Sequence, residues 1–215
     1  MAYAEAKTVD ADVIPVVDIS PLRDGSGTKD VADALHAASQ GYGFIYIRGH
    51  GIPDQVIAAA RASAFDFFRS SPELKKAVSI SDKHRGWLAS GGARMHDDAK
   101  ADLKESFIWG YQDDAGRTPD EHPLRGPNQW PAFVPGMQSG AMDYFNQAHD
   151  VAHHLMRGFA QGLDLPEDFF LRTASRPLSR ASYVYYPAQP ADLGADQFGV
   201  GPHTDFGVLT VLCQD

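Results

Sequence analysis

A glycine-bounded segment near residue 200 constrains the fold of this chain more than any other feature. It covers residues 201–207 and continues into an apolar stretch at residues 208–212. A short apolar run that follows turn residues is typical of a buried strand. Because an extended backbone points residues i and i+2 to the same face, His203 and Asp205 can reach one cation together. The segment therefore predicts a strand that carries two metal ligands at its beginning.

The two side chains have the chemistry of a particular metal site. One imidazole nitrogen plus one carboxylate oxygen is two thirds of the 2-His-1-carboxylate triad that holds non-haem Fe(II). A His-x-Asp tripeptide is common, and in most contexts it simply finishes a surface turn. Here the glycines at 199, 201 and 207 and the apolar stretch that follows favour a metal site. The third ligand is expected later than Asp205.

Composition excludes several classes of partner. The 215 residues carry a formal net charge of −9 without a cluster of lysine or arginine, so we expect neither nucleic acid nor a membrane surface as a partner. A single cysteine, Cys213, excludes an internal disulfide and fits a reducing compartment. The N-terminus lacks the pattern of a signal peptide, and no apolar stretch is long enough to span a membrane. These features predict a cytoplasmic, single-domain protein of unspecified oligomeric state.

Residue patterns predict a chain that is rich in helices first and in strands last. Before the metal segment, strands are predicted at residues 14–19, 43–47, 105–109 and 182–186. Helices are predicted over residues 29–40, 54–69, 71–78 and 138–162, with another short one from 164. Residues 20–25 predict a turn, and residues 86–94 and 112–135 predict loops. A helical layer beside a sheet that forms late in the chain is therefore expected.

Five stretches, in order, resemble one known family. Residues 201–212 resemble the iron-binding strand of the isopenicillin N synthase-like family of Fe(II)/2-oxoglutarate-dependent dioxygenases. Residues 14–22 resemble the opening of the N-terminal region of that family, and residues 43–53 resemble its Gly-Phe … His-Gly-Ile-Pro signature. Residues 104–107 and 126–131 match further family stretches. Because the order is that of the family, the resemblance covers essentially the whole chain.

The resemblance implies a fold class and its organisation. The class is α+β with a mainly β core: a double-stranded β-helix (jelly roll) on which an N-terminal helical region packs. Residues 1–135 would form the N-terminal dioxygenase region, and residues 136–215 the long helix and the first part of the jelly-roll core, as one structural unit. The second iron histidine and the Arg-x-Ser pair of the family, with the remaining C-terminal strands, are expected beyond Asp215.

The resemblance also implies cofactors and an activity. His203 and Asp205 would hold Fe(II), with 2-oxoglutarate as cosubstrate and O₂ as oxidant, and no catalytic residue is expected beyond the metal ligands. Tyr186 stands where family members often have a tyrosine that helps bind the cosubstrate; a packed strand aromatic is the alternative. Many plant members carry asparagine two residues before it, where this chain has Val184. The implied reaction oxidises a small molecule by hydroxylation, desaturation or cyclisation.

Other polar and aromatic residues are weaker candidates. Arg85 aligns with a family segment that lines the substrate mouth and is able to bind a substrate carboxylate, although a solvated loop arginine is the simpler interpretation. Phe107 is a candidate pocket wall, with a core position favoured. His149 and His153 have a helical spacing that clamps metals, but they flank an apolar stripe. His50 is expected to make a structural hydrogen bond.

Three other functions stay open from the sequence. The first is a truncated, non-catalytic binding module, and the second is a 2-oxoglutarate-independent oxidase of the isopenicillin N synthase type. The third is a zinc hydrolase that uses His203, Asp205 and a helix histidine. The sequence does not identify the substrate, and it does not distinguish hydroxylation, desaturation, cyclisation and ethylene formation.

Overall fold

The computed structural model describes residues 13–41, 43–92, 102–111, 122–175, 177–188, 199–200, 203, 205 and 207–214. They divide into two compact units. The first unit comprises the described parts of residues 58–142 and 178–208, and the second comprises the described parts of residues 13–57, 143–177 and 209–214.

The second unit contains a parallel pair of short strands. They are β1 (Val16–Asp18) and β2 (Tyr46–Arg48). Parallel strands need a crossover connection, which here consists of α1 (Ser20–Asp24) and α2 (Thr28–Gly41). The predicted strands at residues 14–19 and 43–47 are confirmed as strands with shifted ends, and the helix predicted over residues 29–40 is confirmed.

The turn predicted over residues 20–25 is wrong, because these residues form α1. Pro21 lies in the first turn of the helix, where its missing N–H is not needed. Gly25 ends the helix with a φ of 78°, and its N–H donates to the carbonyl oxygen of Pro21 at 3.0 Å. A proline and a C-terminal glycine also mark turns, so composition alone did not separate the two structures.

An apolar cluster forms the core of the second unit. The long helix α5 (Met137–Gly162) contributes Val151 and Leu155, both nearly inaccessible to solvent. A Cβ on Gly158 would lie 3.0 Å from side-chain atoms of Leu22 and Leu35, so a glycine lets the helix approach closely. The other buried members are Val17, Ile19, Val31 and Ile52.

The first unit contains a three-stranded antiparallel sheet. Its order is β3 (Gly86–Leu88), β4 (Glu105–Gly110) and β5 (Arg180–Tyr185). In this register Phe107 pairs with both Trp87 and Tyr183. The strands predicted at residues 105–109 and 182–186 are confirmed. The strand β3 falls in a predicted loop, because its three residues include a glycine and acquire strand structure only by pairing with β4.

The helices that precede the sheet in the chain lie close to the bounds that the sequence predicts. The helix α3 (Asp54–Phe68) begins and ends within one residue of the prediction. Next come α4 (Pro72–Lys75) and a 3₁₀ turn over Lys76–Val78. Ser71 caps α4, as predicted, because its Oγ accepts a hydrogen bond from the N–H of Leu74 at 3.4 Å. The unit boundary lies within α3 and within α5.

Two late predictions differ from the structure. The helix expected from residue 164 is replaced by turns and a 3₁₀ segment at Leu171–Thr173. No strand is assigned among residues 207–214, where the apolar strand was expected. Among the described residues, no helix has the length and apolar character to cross a membrane.

Candidate metal and cosubstrate site

The strand β5 has one open face and one packed face. Side-chain direction alternates along an extended strand, so exposure should alternate with a period of two. The structure shows this alternation from residue 180 to residue 186. The exposed positions are Arg180, Ser182, Val184 and Tyr186, which define the open face; the half-buried positions are Ala181, Tyr183 and Tyr185.

The packed face of the sheet is an aromatic core. Phe107 is 0% exposed, and its ring centroid lies 4.9 Å from that of Phe67. The rings of Trp109 and Tyr183 are 4.5 Å apart. Burial raises the pKa of Tyr183 to about 12, and its hydroxyl lies 3.4 Å from Oγ of Ser63. Phe107 is therefore a core residue, as the sequence favoured, and its 0% exposure does not support the other candidate role as a wall of the substrate pocket.

Tyr186 lies at one end of the open face, immediately after β5. Tyr186 is 53% exposed. The nearby Gly199 approaches the ring so closely that a Cβ there would lie 2.8 Å from Cδ1. Burial of the hydroxyl and the charge of Asp102 raise the pKa of Tyr186. The hydroxyl therefore keeps its proton at neutral pH and is able to donate a hydrogen bond to an anion.

His203 and Asp205 lie side by side, and both side chains are partly exposed. Nε2 of His203 lies 3.4 Å from Oδ1 of Asp205, and the two side chains are 40% and 53% exposed. Across the described part of the chain, no third histidine, cysteine or carboxylate joins them in a possible metal cluster. Thr204, between them, and the glycine at 201 lie outside the described residues, as does most of residues 189–202. The structure thus brings the predicted pair together.

Arg85 is buried rather than solvated. Arg85 is 3% exposed, and its guanidinium donates hydrogen bonds to three backbone carbonyls. Nη1 donates to Lys83 and His84 at 3.3 and 3.2 Å, and Nη2 donates to Leu124 at 2.9 Å. The simpler interpretation of this residue as a solvated loop arginine is wrong. Its backbone segment is also fixed, because Nε2 of Gln129 donates to the Arg85 carbonyl oxygen at 2.5 Å.

Three other histidines, His50, His149 and His153, have structural partners. Nδ1 of His50 accepts a hydrogen bond from the N–H of Ile52 at 3.1 Å, as predicted for a structural histidine. The ring centroids of His149 and His153 are 4.4 Å apart on α5. Burial and the neighbouring His153 lower the pKa of His149, whereas Asp150 opposes this shift. Neither ring belongs to a group of three potential metal ligands among the described residues.

Comparison with known proteins identifies the family. A family model described as the non-haem dioxygenase in morphine synthesis N-terminal region matches residues 14–133, more than half of the chain. The chain therefore belongs to the isopenicillin N synthase-like family of Fe(II)/2-oxoglutarate-dependent dioxygenases.

Individual relatives agree with this assignment. The chain is 29% identical to the 2-oxoglutarate-Fe(II) type oxidoreductase hxnY of Emericella nidulans over 94% of its own length and 60% of that protein. It is 30% identical to a homoarginine-6-hydroxylase of Oryza sativa subsp. japonica, covering 96% of this chain and 67% of the relative. The crystal structure of a full-length Neurospora crassa protein in complex with alpha-KG superposes with a TM-score of 0.77 at 26% identity, over 93% of this chain and 63% of that one. The chain thus spans about 60% of the length of the first curated relatives it matches.

Proposed function

We propose that this chain is part of a non-haem Fe(II) oxygenase that couples oxidative decarboxylation of 2-oxoglutarate to oxidation of a small molecule. One observation carries the proposal: the 3.4 Å separation between Nε2 of His203 and Oδ1 of Asp205. Two donors about 2.1 Å from one cation, at a right angle, lie about 3 Å apart. The pair therefore fits two neighbouring positions around one metal ion.

The proposal gives each residue a role. His203 and Asp205 would hold Fe(II), which when bound supplies with O₂ the chemistry that oxidises the substrate and turns 2-oxoglutarate into succinate and CO₂. Tyr186 donates a hydrogen bond to a 2-oxoglutarate carboxylate, since its raised pKa keeps the hydroxyl protonated. Val184, on the same face, offers no polar group at the position next to Tyr186.

Two protein ligands are one short of the facial triad. We propose that the complete protein supplies a histidine as the third ligand and an Arg-x-Ser pair as the main anchor of 2-oxoglutarate. These residues would lie on further strands that complete a jelly roll around the open face of β5. Reading the gene downstream of the codon for Asp215 tests this: a histidine followed about ten residues later by Arg-x-Ser supports the proposal, and an open reading frame without them contradicts it.

The substrate is proposed to be a small molecule. The relative from rice is named for homoarginine, a free amino acid, and shares 30% identity with this chain. We assign Arg85 to substrate binding because it directly precedes β3. This strand belongs to the same sheet as β5, which carries the open face. Hydroxylation, desaturation and cyclisation all remain compatible with these residues.

Metal content tests the site independently of turnover. The complete gene product is purified and its iron and zinc are measured per chain, together with the variant His203→Ala and the control His36→Ala on α2. We expect about one iron per chain, lost in His203→Ala and retained in His36→Ala. Iron that persists in His203→Ala contradicts the site assignment.

Succinate release distinguishes the remaining functions. With Fe(II), O₂ and a panel of small molecules, we expect substrate-stimulated release of succinate from 2-oxoglutarate. Bound iron with turnover independent of 2-oxoglutarate would instead identify an oxidase of the isopenicillin N synthase type. Zinc in place of iron would favour a hydrolase, and absence of any metal would favour a binding module.

A further inference from the structure

Two histidines on the long helix α5 form a close pair of imidazole rings. His149 and His153 are four residues apart, so one turn of the helix places them on the same side. Their ring centroids are 4.4 Å apart, and the ring planes are tilted by 58°. Both residues are partly exposed, at the flank of the buried stripe that contains Val151 and Leu155. The two rings are therefore neighbours that solvent is able to reach.

The separation of the rings matches that of two ligands on one metal ion. An imidazole nitrogen lies about 2.0–2.1 Å from a bound divalent ion, which places the ring centroid about 3.2 Å from the ion. Two such rings at a right angle around the ion have centroids about 4.5 Å apart, as in square-planar or octahedral coordination. The observed 4.4 Å agrees with this value.

The tilt of the rings also suits a shared ion. The lone pair of an imidazole nitrogen lies in the plane of its ring. Parallel stacked rings cannot direct both lone pairs to one point between them, because their planes do not meet. The planes of His149 and His153 intersect, since they are tilted by 58°, so both rings are able to direct a nitrogen to the same ion.

The helix orients the pair before an ion binds. Val151 and Leu155 are 2% and 3% exposed, so packing fixes the rotation of α5 about its axis. The ring of His149 also stacks on that of Phe145, with centroids 5.8 Å apart and ring planes 18° apart. A ligand pair that is already oriented loses less conformational entropy on binding. Preorganisation therefore favours binding by both rings over binding by one.

The neighbouring polar groups pair with each other on the next stripe of the helix. Nε2 of His154 lies 3.6 Å from Oδ2 of Asp150. In the part of the chain that the structure describes, no group of three potential ligands is found. Two imidazoles, with water in the other positions, suit divalent ions late in the first transition series, and Cu(II) binds such nitrogen ligands most tightly. Because only two protein groups hold the ion, it exchanges with solution and is removed by dialysis.

We propose that His149 and His153 form a two-histidine site for a late first-row divalent metal ion, with Cu(II) bound most tightly. Both ligands belong to the second unit, and the site does not rest on the oxygenase function proposed above. A bound ion links two successive turns of α5. It therefore stabilises the folded chain relative to the unfolded chain.

The test uses Cu(II) as the probe and the complete gene product that carries His203→Ala. This substitution disrupts the proposed iron pair, which would otherwise compete for the probe. Cys213 is alkylated first, because an exposed thiol also binds and reduces Cu(II). The titration is done at about pH 7.5, where an ordinary imidazole is mostly neutral. Isothermal titration calorimetry measures the affinity, and electron paramagnetic resonance counts the imidazole nitrogens on the bound ion.

Two site variants and one matched control are compared in this background. The site variants are His149→Gln and His153→Gln. The control is His154→Gln, which removes a partly exposed imidazole from the same helix. Adjacent residues on a helix do not face each other, so His154 does not chelate an ion together with His153. Far-UV circular dichroism checks that each variant keeps its helical structure.

We expect the tightest Cu(II) to carry two imidazole nitrogens and to raise the melting temperature. His149→Gln and His153→Gln should each lower the affinity about tenfold or more and leave one imidazole on the ion, because a single ring binds without the chelate effect. The variant His154→Gln should keep the affinity and both imidazoles. Unchanged affinity in both site variants, an equal loss in His154→Gln, or a signal without two imidazoles before the site is altered would each overturn the proposal.

This site and the oxygenase function fail separately. Iron content and succinate release are measured on the parent protein, whereas Cu(II) binding is measured after His203→Ala has removed the proposed iron pair. An iron-loaded, active enzyme without the two-imidazole Cu(II) signal would keep the oxygenase function and exclude the helix site. Conversely, a parent protein without iron or succinate release would lose the oxygenase function, while the Cu(II) titration still reports on α5.

Discussion

At the scale of single residues, Gly110 is a position where packing leaves no space for a methyl group. A Cβ there would collide with Nη2 of Arg85 and lie 3.0 Å from the carbonyl oxygen of Ser179. Arg85 has little freedom to move, because its guanidinium is held by three carbonyls. We therefore expect Gly110→Ala to lower the free energy of unfolding by about 1–3 kcal/mol, measured by urea denaturation.

The control for this substitution is Gly41→Ala at the end of α2. No atom lies within 4 Å of a Cβ built there, so the variant should be as stable as the parent or more stable by up to about 1 kcal/mol. Equal destabilisation by the two substitutions would show that Gly110 has no special packing role.

A second residue-scale prediction concerns the buried ion pair of Lys75 and Glu105. Nζ of Lys75 lies 2.7 Å from Oε2 of Glu105, and both side chains are largely buried. The same Oε2 accepts a hydrogen bond from Nε1 of Trp87 at 2.8 Å. Removing one partner leaves the other charge buried without compensation, so Glu105→Gln should cost about 3 kcal/mol of unfolding free energy in a denaturant titration.

A double-mutant cycle isolates this interaction. Lys75→Met combined with Glu105→Gln removes both charges and should cost clearly less than the sum of the single variants. Additive losses would mean that the pair contributes no coupling energy and that the single-variant effects arise from packing.

At the scale of elements, α5 carries a pH-dependent contribution to stability. Burial and His153 lower the pKa of His149 in the folded chain, with Asp150 opposing. The unfolded chain then binds more protons near the usual histidine pKa, so His149 destabilises the fold as pH falls below about 6.5. We expect His149→Gln to flatten the loss of stability between about pH 6.5 and 5, measured by urea midpoints at several pH values.

His36 on α2 provides a matched substitution for that experiment. It lies near the surface, where its Nε2 is 3.0 Å from Nε2 of Gln40. His36→Gln should leave the pH profile of the parent unchanged. A profile that is equally steep in His149→Gln and in the parent would contradict the contribution of His149.

Elements were predictable from the sequence where local signals determine them. The long helix α5 and the strand β4 have strong periodic patterns, and both form where they were expected. The strand β3 and the helix α1 were missed for different reasons: β3 depends on pairing with β4, and α1 shares its proline and glycine with turns.

The candidate site was predictable only in part, namely where local geometry determines it. His203 and Asp205 are two residues apart, so local geometry alone brings them together. The buried position of Arg85 was not predictable, because it depends on Gly110 and on the carbonyl of Leu124, which are distant in sequence.

At the scale of the whole molecule, exposed apolar side chains predict association of these 215 residues in solution. On the first unit Val184, Tyr186 and Val208 are exposed, with Val208 at 81%. Large accessible apolar groups beside an edge strand of the described sheet favour contact with another chain. We expect the 215-residue polypeptide to form oligomers or aggregates whose mass increases with concentration, measured by size-exclusion chromatography with light scattering, and to release no succinate.

A charge on the open face should reduce this association. Val184→Lys introduces a positive charge at the edge strand, which disfavours pairing with a second chain, so the average mass should fall. Gln55→Lys adds the same charge to an exposed position of α3 in the second unit and should leave the mass unchanged. A polypeptide that is monomeric at all concentrations, or an equal response to both substitutions, would show that the open face of β5 does not drive self-association.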